Sequence, residues 1–545
     1  MSESHAFSAL KAHAKQLLAA ARAGDHVVIG KLREVLPKLG AQNDADFASE
    51  VLLADVQHAV ARRYGVKSWA ELKQKVEAAD PIQIQAERFL HAVREHQEQR
   101  AAELLATHPT IARYCIHAAA AACDVNAMAE FIERDSSLVS KPDLAGKCEP
   151  MIYAAGTRLP ALNEQMREAN TACVQLLLDH GANATASISL GEGDQESQLF
   201  ALYFACAANN VGAAALLLQR GANPNDGECI PHAAEANHRE CLELLLQYGA
   251  NISDRHPDWD NTALYFLSGH KEFSPLYTSS ELGMRWLLEH GANPNITSYV
   301  GPKSANLATR GEAPLHRLVA FGRSVECAHM FIEHGADANL PRGDGKMAYA
   351  LAVRTGNTAV AEFLVGNGAD TNALTPADEL LGACAVADHA HARKILDMHP
   401  TLMSSLTAED KQALALAVEE GKEDSVRLMV ALGWSIADEG PWGGTPLHWA
   451  AWYGRVHMTK LLIELGAPIN TRDSTYGSSP IAWAAHGSTN CRVDHDDDYI
   501  AVIDLLLHAG STREASYNNW SEAPENLSSN AVANFLKHRG FATYT

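Results

Sequence analysis

The sequence predicts an all-α solenoid, a row of short helix pairs that bury themselves against one another. Three observations predict it. A short ending recurs along the chain as GANAT at 181, GANPN at 221, GANIS at 249, GANPN at 291, GADAN at 335, GADTN at 368 and GAPIN at 466, with looser copies at Gly433 and Gly510. Gly335 to Gly368 is 33 residues, Gly368 to Gly433 is 65, about two such steps, and Gly433 to Gly466 is 33 again. A unit near 33 residues follows. The interval between two such glycines also reads as two short helices. Finally, 47% hydrophobic against 20% charged residues supplies a continuous core, with no apolar run near the ~18 residues a membrane helix needs.

The unit is clearest at 443 to 470, GGTPLHWAAWYGRVHMTKLLIELGAPIN. Thr445 is a good N-cap and Pro446 suits the first helical position, where its missing N–H is not needed. Ala450 and Ala451 let a neighbouring helix approach, and Gly454 can take the left-handed conformation that ends the first helix. Val456, Leu461, Leu462 and Leu465 then repeat at helical spacing until Gly466. Neither helix can bury its apolar face alone. Departures from the period mark insertions: 186 to 198 and 297 to 310 extend turns between units, and 156 to 170, 268 to 281 and 487 to 498 lengthen the connection inside one. Long loops on a rigid scaffold commonly carry recognition.

The unit length, with TPLHWAAWYG, APLHRLVAFG (313 to 322) and the LLLxxGAN ending, resembles the ankyrin repeat. The resemblance covers roughly residues 84 to 513, about twelve helix-turn-helix units, including degenerate ones such as 378 to 406, where Pro400 falls in the glycine slot. A leading LADVQHAVARRYGVKSWAELK before such repeats is similar to a bacterial group of ankyrin-repeat proteins. Three segments are expected: an N-terminal helical region at 1 to 80, capping the array, the array at 84 to 513, and a C-terminal cap at 514 to 545 with a closing helix in SNAVANFLKHRGFA (529 to 542).

The resemblance implies a concave face, built from inner helices and inter-repeat turns, on which a protein or peptide partner binds. In the repeat frame, Trp442 and Tyr476 occupy variable turn slots, and Trp452, Tyr453 and His486 follow the paired alanines. Five aromatic or imidazole groups thus converge on the C-terminal third, a composition typical of binding hot spots. Phe321 and Arg354 take exposed inner-helix slots of middle repeats. Trp449 and Trp483, after the TPLH histidine, fall where core residues are usual, and His232 takes the same slot earlier. The imidazoles of His316 and His448 are expected to hydrogen-bond within and between repeats. His180, His290 and His334, before the glycine of HGA, sit where a partial positive charge suits a helix C-terminus.

Composition narrows the function. A net charge of −22 disfavours nucleic acid and acidic membranes. Residues 1 to 80, however, carry 11 Lys plus Arg against 10 Asp plus Glu, and VQHAVARRYGVKSWAELK has the cadence of a helix-turn-helix around Arg62, Arg63 and Lys67. Ten cysteines without a CxxC pair read as small buried hydrophobes in a reducing, cytoplasmic compartment, and the N-terminus lacks the uninterrupted apolar stretch of a secretory signal. HGSTNCRVDHDDDY holds His486, Cys491, Asp494, His495 and Asp496 to Asp498, potential ligands for a divalent cation whose spacing matches neither an EF-hand nor a zinc finger. HExxH, GxSxG and GxxxxGK are absent, so no cofactor, metal or catalytic set is assigned. The leading expectation is a non-catalytic binding scaffold. The alternatives are an enzyme or small-molecule receptor with a pocket at the C-terminal aromatic end, and a DNA-binding regulator working through the N-terminus.

Overall fold

The computed structural model describes residues 14–15, 17–36, 43–63, 66–70, 72, 81–94, 97–143, 148–190, 197–270, 277–298, 311–491, 496–512, 518 and 524–541. From Pro81–Arg94 with Glu98–Thr107 to Pro480–Asn490 with Asp496–His508, twelve helix pairs follow one another among these residues. Each packs chiefly against the pairs before and after it, which is the arrangement that lets short amphipathic helices share one core.

The local physics is that of the unit at 443 to 470. Thr445 is extended at φ −73°, ψ 167°, ahead of the helix Pro446–Trp452. Ala450 and Ala451 are fully buried where the next inner helix packs. Gly454 at φ 60° and Gly466 at φ 87° end the two helices in the left-handed region, which costs glycine least. Met458, Leu461 and Leu462 form the buried stripe of the outer helix Val456–Glu464.

The turns are tied by a ladder of asparagines that the sequence reading did not anticipate. The last Asn of GANPN, GADAN and GAPIN reaches into the following turn. Asn339 donates to the Gly368 carbonyl at 2.9 Å and accepts from the Asp370 N–H at 2.8 Å. Asn225, Asn295 and Asn470 repeat the pattern towards Gly249, Gly335 and Gly510. Asn372 instead bonds its own Asp370, because the next unit has no glycine turn to meet it.

Two insertions take definite form. Ser187–Leu190 pairs antiparallel with Ser197–Phe200, Ser187 opposite Phe200, a small hairpin on an otherwise helical array. The insertion at 156 to 170 becomes a 3-10 turn at Leu159–Leu162 and lengthens the outer helix to Glu164–Asp179. Residues 299–310, most of another insertion, lie outside the described residues.

Near the N-terminus, His26–Val35, Asp44–Glu50 and Leu53–Arg63 are helical. They gather Ile29, Phe47, Val56 and Leu72 into a core distinct from that of the repeats. Tyr64 and Gly65, in the expected turn, fall outside the described residues. At the other end Pro524–Leu527 and Asn530–Leu536 pack on the last pair, with Val532 and Leu536 entering its core. All ten cysteines carry free thiols, nine of them buried. Among the described residues no helix is long and apolar enough to cross a membrane.

Candidate functional site

The candidate site is built from two adjacent turns and two inner helices at the C-terminal end. Gly440, Gly443 and Gly444 bracket Trp442, with Gly440 N–H donating to the Gly444 carbonyl at 2.9 Å. A Cβ on Gly443 would stand 2.3 Å from Ser474 Oγ, and one on Gly444 2.7 Å from the Trp483 ring. The glycines therefore let this turn close on the next, where Ser474 Oγ donates to Glu439 at 2.6 Å. Trp442 itself is held at φ 58°, ψ 20°, a conformation costing a non-glycine residue roughly 1 kcal/mol or more. Its ring is 62% exposed and nearly parallel to Tyr476, 19° apart with centroids 6.5 Å from one another.

The second turn is organised by Asp473. Its buried carboxylate accepts from the backbone N–H of Thr475, Tyr476 and Ser478 and from the Trp483 indole at 2.9 Å. Trp483 then meets Trp449 edge to face at 5.1 Å and Trp452 at 6.0 Å, while Trp452 meets His486 at 5.4 Å and Tyr453 stacks on Trp449 at 5.9 Å. Burial pushes the Tyr453 hydroxyl well above the ordinary phenol range. The result is a half-open groove of ≈ 660 Å³. The expected Trp442, Trp452, Tyr453, Tyr476 and His486 all line it. Trp449 and Trp483, 7% and 6% exposed, are core residues as anticipated, yet their edges form its floor. Asn518 and Leu527, from beyond the repeats, complete the wall; no sequence signal marked them.

The other nominated residues lie elsewhere. Arg354 does not take an exposed slot: its side chain is 9% exposed and bonded to Asp378 at 2.7 Å and to Asp410. Both aspartates sit three residues after a threonine N-cap, and a guanidinium between two buried carboxylates is drawn inward. Phe321 is half-buried and its face is covered by Arg317, whose guanidinium lies 4.7 Å from the Phe321 ring and 4.7 Å from Tyr265. Asp494 and His495 lie outside the described residues. Cys491 is buried, and Asp496 accepts from Ser529 Oγ at the start of the last outer helix.

The histidines divide as their slots suggested, with one exception. His448 Nδ1 accepts from the Thr445 N–H at 3.0 Å and Nε2 donates to the Ser478 carbonyl at 3.0 Å. His316 does the same with Ala313 and Leu340. Burial pushes both imidazoles down to about 4. His290 and His334 donate to carbonyls four residues back, at 2.7 and 2.8 Å. His232 is the exception: it lies between Glu228 and Glu235, 3.2 and 3.0 Å away, in an edge-to-face row Tyr203, His232, Phe266, His270. Burial opposes its charge, but the two carboxylates push it up to about 9. Burial likewise opposes ionisation of Glu228 and Glu235, and their histidine partners hold both down at about 2.

The profile of the family described as ankyrin repeats (3 copies) matches residues 162–256, 281–375, 380–473 and 414–493, more than half the chain. The chain belongs to the ankyrin-repeat family. Among similar sequences, the human transient receptor potential cation channel subfamily A member 1 is 24% identical over 399 residues, 65% of this chain and 33% of its own length. The Arabidopsis thaliana E3 ubiquitin-protein ligase KEG is 24% identical over 359 residues, 61% of this chain and 21% of its own. The chain thus spans a third or less of these relatives. The crystal structure of the human ASB11 ankyrin repeat domain is matched over 51% of this chain and 96% of that one, at 21% identity and a TM-score of 0.25.

Proposed function

We propose that this ankyrin array is a non-catalytic recognition scaffold that binds a protein or peptide partner on its concave face, with the C-terminal aromatic groove as the hot spot. Ankyrin repeats typically mediate protein–protein interaction. The observation that carries the reading is Trp442: a large ring 62% exposed to water, on a left-handed backbone, beside a groove walled by further rings. Aromatic anchors in a pocket dominate interface energetics, whereas folding alone gives no reason to present this one outward. On this reading residues 1–80 and 514–545 are the flanking regions of an array at 84–513, in a cytoplasmic protein of the bacterial ankyrin group.

The test is Trp442→Gly, which suits the positive φ and removes the ring. Stability is expected to stay within about 0.5 kcal/mol, as for other surface changes, while affinity capture from the native cell extract loses the partner held by the intact chain. Retention of that partner at full yield sinks the reading.

A further inference from the structure

The asparagine ladder breaks between Pro400 and Gly433, and the break has a shape. In a closed rung one side-chain amide serves two backbone groups of the next turn, as Asn339 does for the Gly368 carbonyl and the Asp370 N–H. Four residues after Pro400 the ladder position holds Ser404, whose hydroxyl donates to the Thr401 carbonyl at 2.7 Å instead. The receiving groups of the following turn, the Gly433 carbonyl and the Ser435 N–H, form no hydrogen bond among the described residues. An open rung alone makes no site: Thr185, at the same position, bonds back to Asn183 and leaves the turn at Gly221 unbridged.

At Gly433 the open rung adjoins a cleft of ≈ 870 Å³, in which Ser404, Gly433 and Ser435 meet an apolar floor of Met403, Leu406, Leu414 and Trp434. Beside the closed rung from Asn225 to Asn251 the corresponding space is ≈ 20 Å³. The difference follows where the chain is tied: Glu409 and Asp410, on the connection after Ser404, are bonded to Arg342 at 2.6 Å and to Arg354, two units back. Trp434, where other turns carry Ala336, Ala369 or Ala467, is 6% exposed and its indole N–H has no acceptor. A buried donor left so costs free energy that an acceptor carried by a ligand recovers.

These groups specify the ligand. A carbonyl acceptor beside an N–H donor is matched by a primary amide, which holds one of each; a carboxylate lacks the donor and an ammonium the acceptor. Four closed rungs of this molecule make the match with asparagine. The cleft is far larger than one amide, so the asparagine comes on a segment of chain, whose carbonyls also offer acceptors to Trp434.

We infer that the cleft between Ser404 and Gly433 receives an extended segment of a protein partner, an asparagine of which closes the open rung by donating to the Gly433 carbonyl and accepting from the Ser435 N–H. The contact lies on the side of this turn that faces the preceding unit, whereas the aromatic groove faces the following one. It adds to the binding function proposed above and does not depend on Trp442.

The experiment uses the full chain and a degenerate dodecapeptide display library. Two variants alter the rung, with thermal melts to check the fold: Ser404→Asn supplies the amide from within, and Ser435→Pro removes the N–H in a slot where the next turn already holds Pro468. The unaltered chain is expected to enrich a class of peptides sharing an asparagine, which both variants lose and Trp442→Gly keeps. Synthetic peptides with that asparagine replaced by aspartate, which has the shape without the donor, should bind about ten-fold more weakly in titration calorimetry. Absence of such a class, its indifference to either variant, or aspartate binding as tightly overturns the inference. If Trp442→Gly still releases the partner captured from extract, the proposed function then stands; asparagine peptides bound here while that partner stays captured sink the proposed function alone.

Discussion

At the scale of single residues, the imidazoles hold opposite thermodynamic signs. His448 and His316 are neutral in the fold, their folded values near 4 lying below the ordinary 6.5. Stability from each is complete above about 6.5 and is lost as pH falls towards 4, because the unfolded chain takes up the proton first. His232, pushed up to about 9, contributes stability that is complete below about 6.5 and lost as pH rises through 9. Glu228 and Glu235, held near 2, add stability above about 4.5 that is lost as pH falls through 2. The thermal midpoint is therefore expected to decline on both sides of near-neutral pH. His448→Gln should flatten the acid limb and His232→Gln the alkaline one, as followed by circular dichroism in pH-stepped melts. Removing the ring altogether is costlier. His448→Ala strands the Thr445 N–H and the Ser478 carbonyl in a buried site and should cost about 2–4 kcal/mol in urea unfolding, two unsatisfied groups at ~1–3 each with partial relaxation. The roles of His448 and His316 were legible because the TPLH slot fixes their neighbours. That of His232 was not, because His256 and His270, the outer partners of its carboxylates, come from the following unit and only packing brings them in.

At the scale of elements, close approach is what sequence periodicity leaves undescribed. The repeat frame places Gly487 opposite Tyr453, which caps the end of the preceding inner helix, yet here the helix runs through Gly487 to Asn490. A Cβ there would lie 2.3 Å from the Trp452 carbonyl oxygen and 3.0 Å from the Tyr499 ring, so its glycine serves contact between inner helices. Gly487→Ala is expected to cost about 1–3 kcal/mol by overpacking and to push apart the walls carrying Trp452 and His486, weakening partner capture along with stability. An unchanged urea midpoint in this variant refutes the account. Helix ends at Gly454 and Gly466 and the buried leucine stripe could be read directly, since caps and apolar spacing are local. The strand pair at 187–190 and 197–200 could not: SISL alternates polar and apolar residues but SQLF does not, each is only four residues long, and pairing is what stabilises them. In the groove, five rings followed from repeat arithmetic, whereas Leu527 enters only because the terminal helices fold back onto the last pair.

At the scale of the whole molecule, a solenoid is as cooperative as its weakest junction. The buried apolar residues of the array form two clusters, one running to Ala369 and the other starting at Leu380. Charge crosses where the apolar core is interrupted. Arg354 reaches Asp378 in the next unit and Asp410 beyond it, and Arg342 joins Glu312, Asp344 and Glu409. An inner-face position usually free for recognition has thus been recruited to hold two blocks together, which is why its burial escaped the repeat frame. Arg354→Met leaves two buried carboxylates without their cation and should destabilise the junction by about 3–5 kcal/mol, whereas adding Asp378→Asn and Asp410→Asn should restore much of it. Six of the nine tryptophans lie beyond residue 380, so indole fluorescence reports mainly the C-terminal block and circular dichroism the whole array. In urea, the fluorescence transition of Arg354→Met should move to lower denaturant and separate from the helical one. Coincident transitions in that variant would mean that the blocks are coupled by something other than this arginine, and that the junction lies elsewhere along the ribbon.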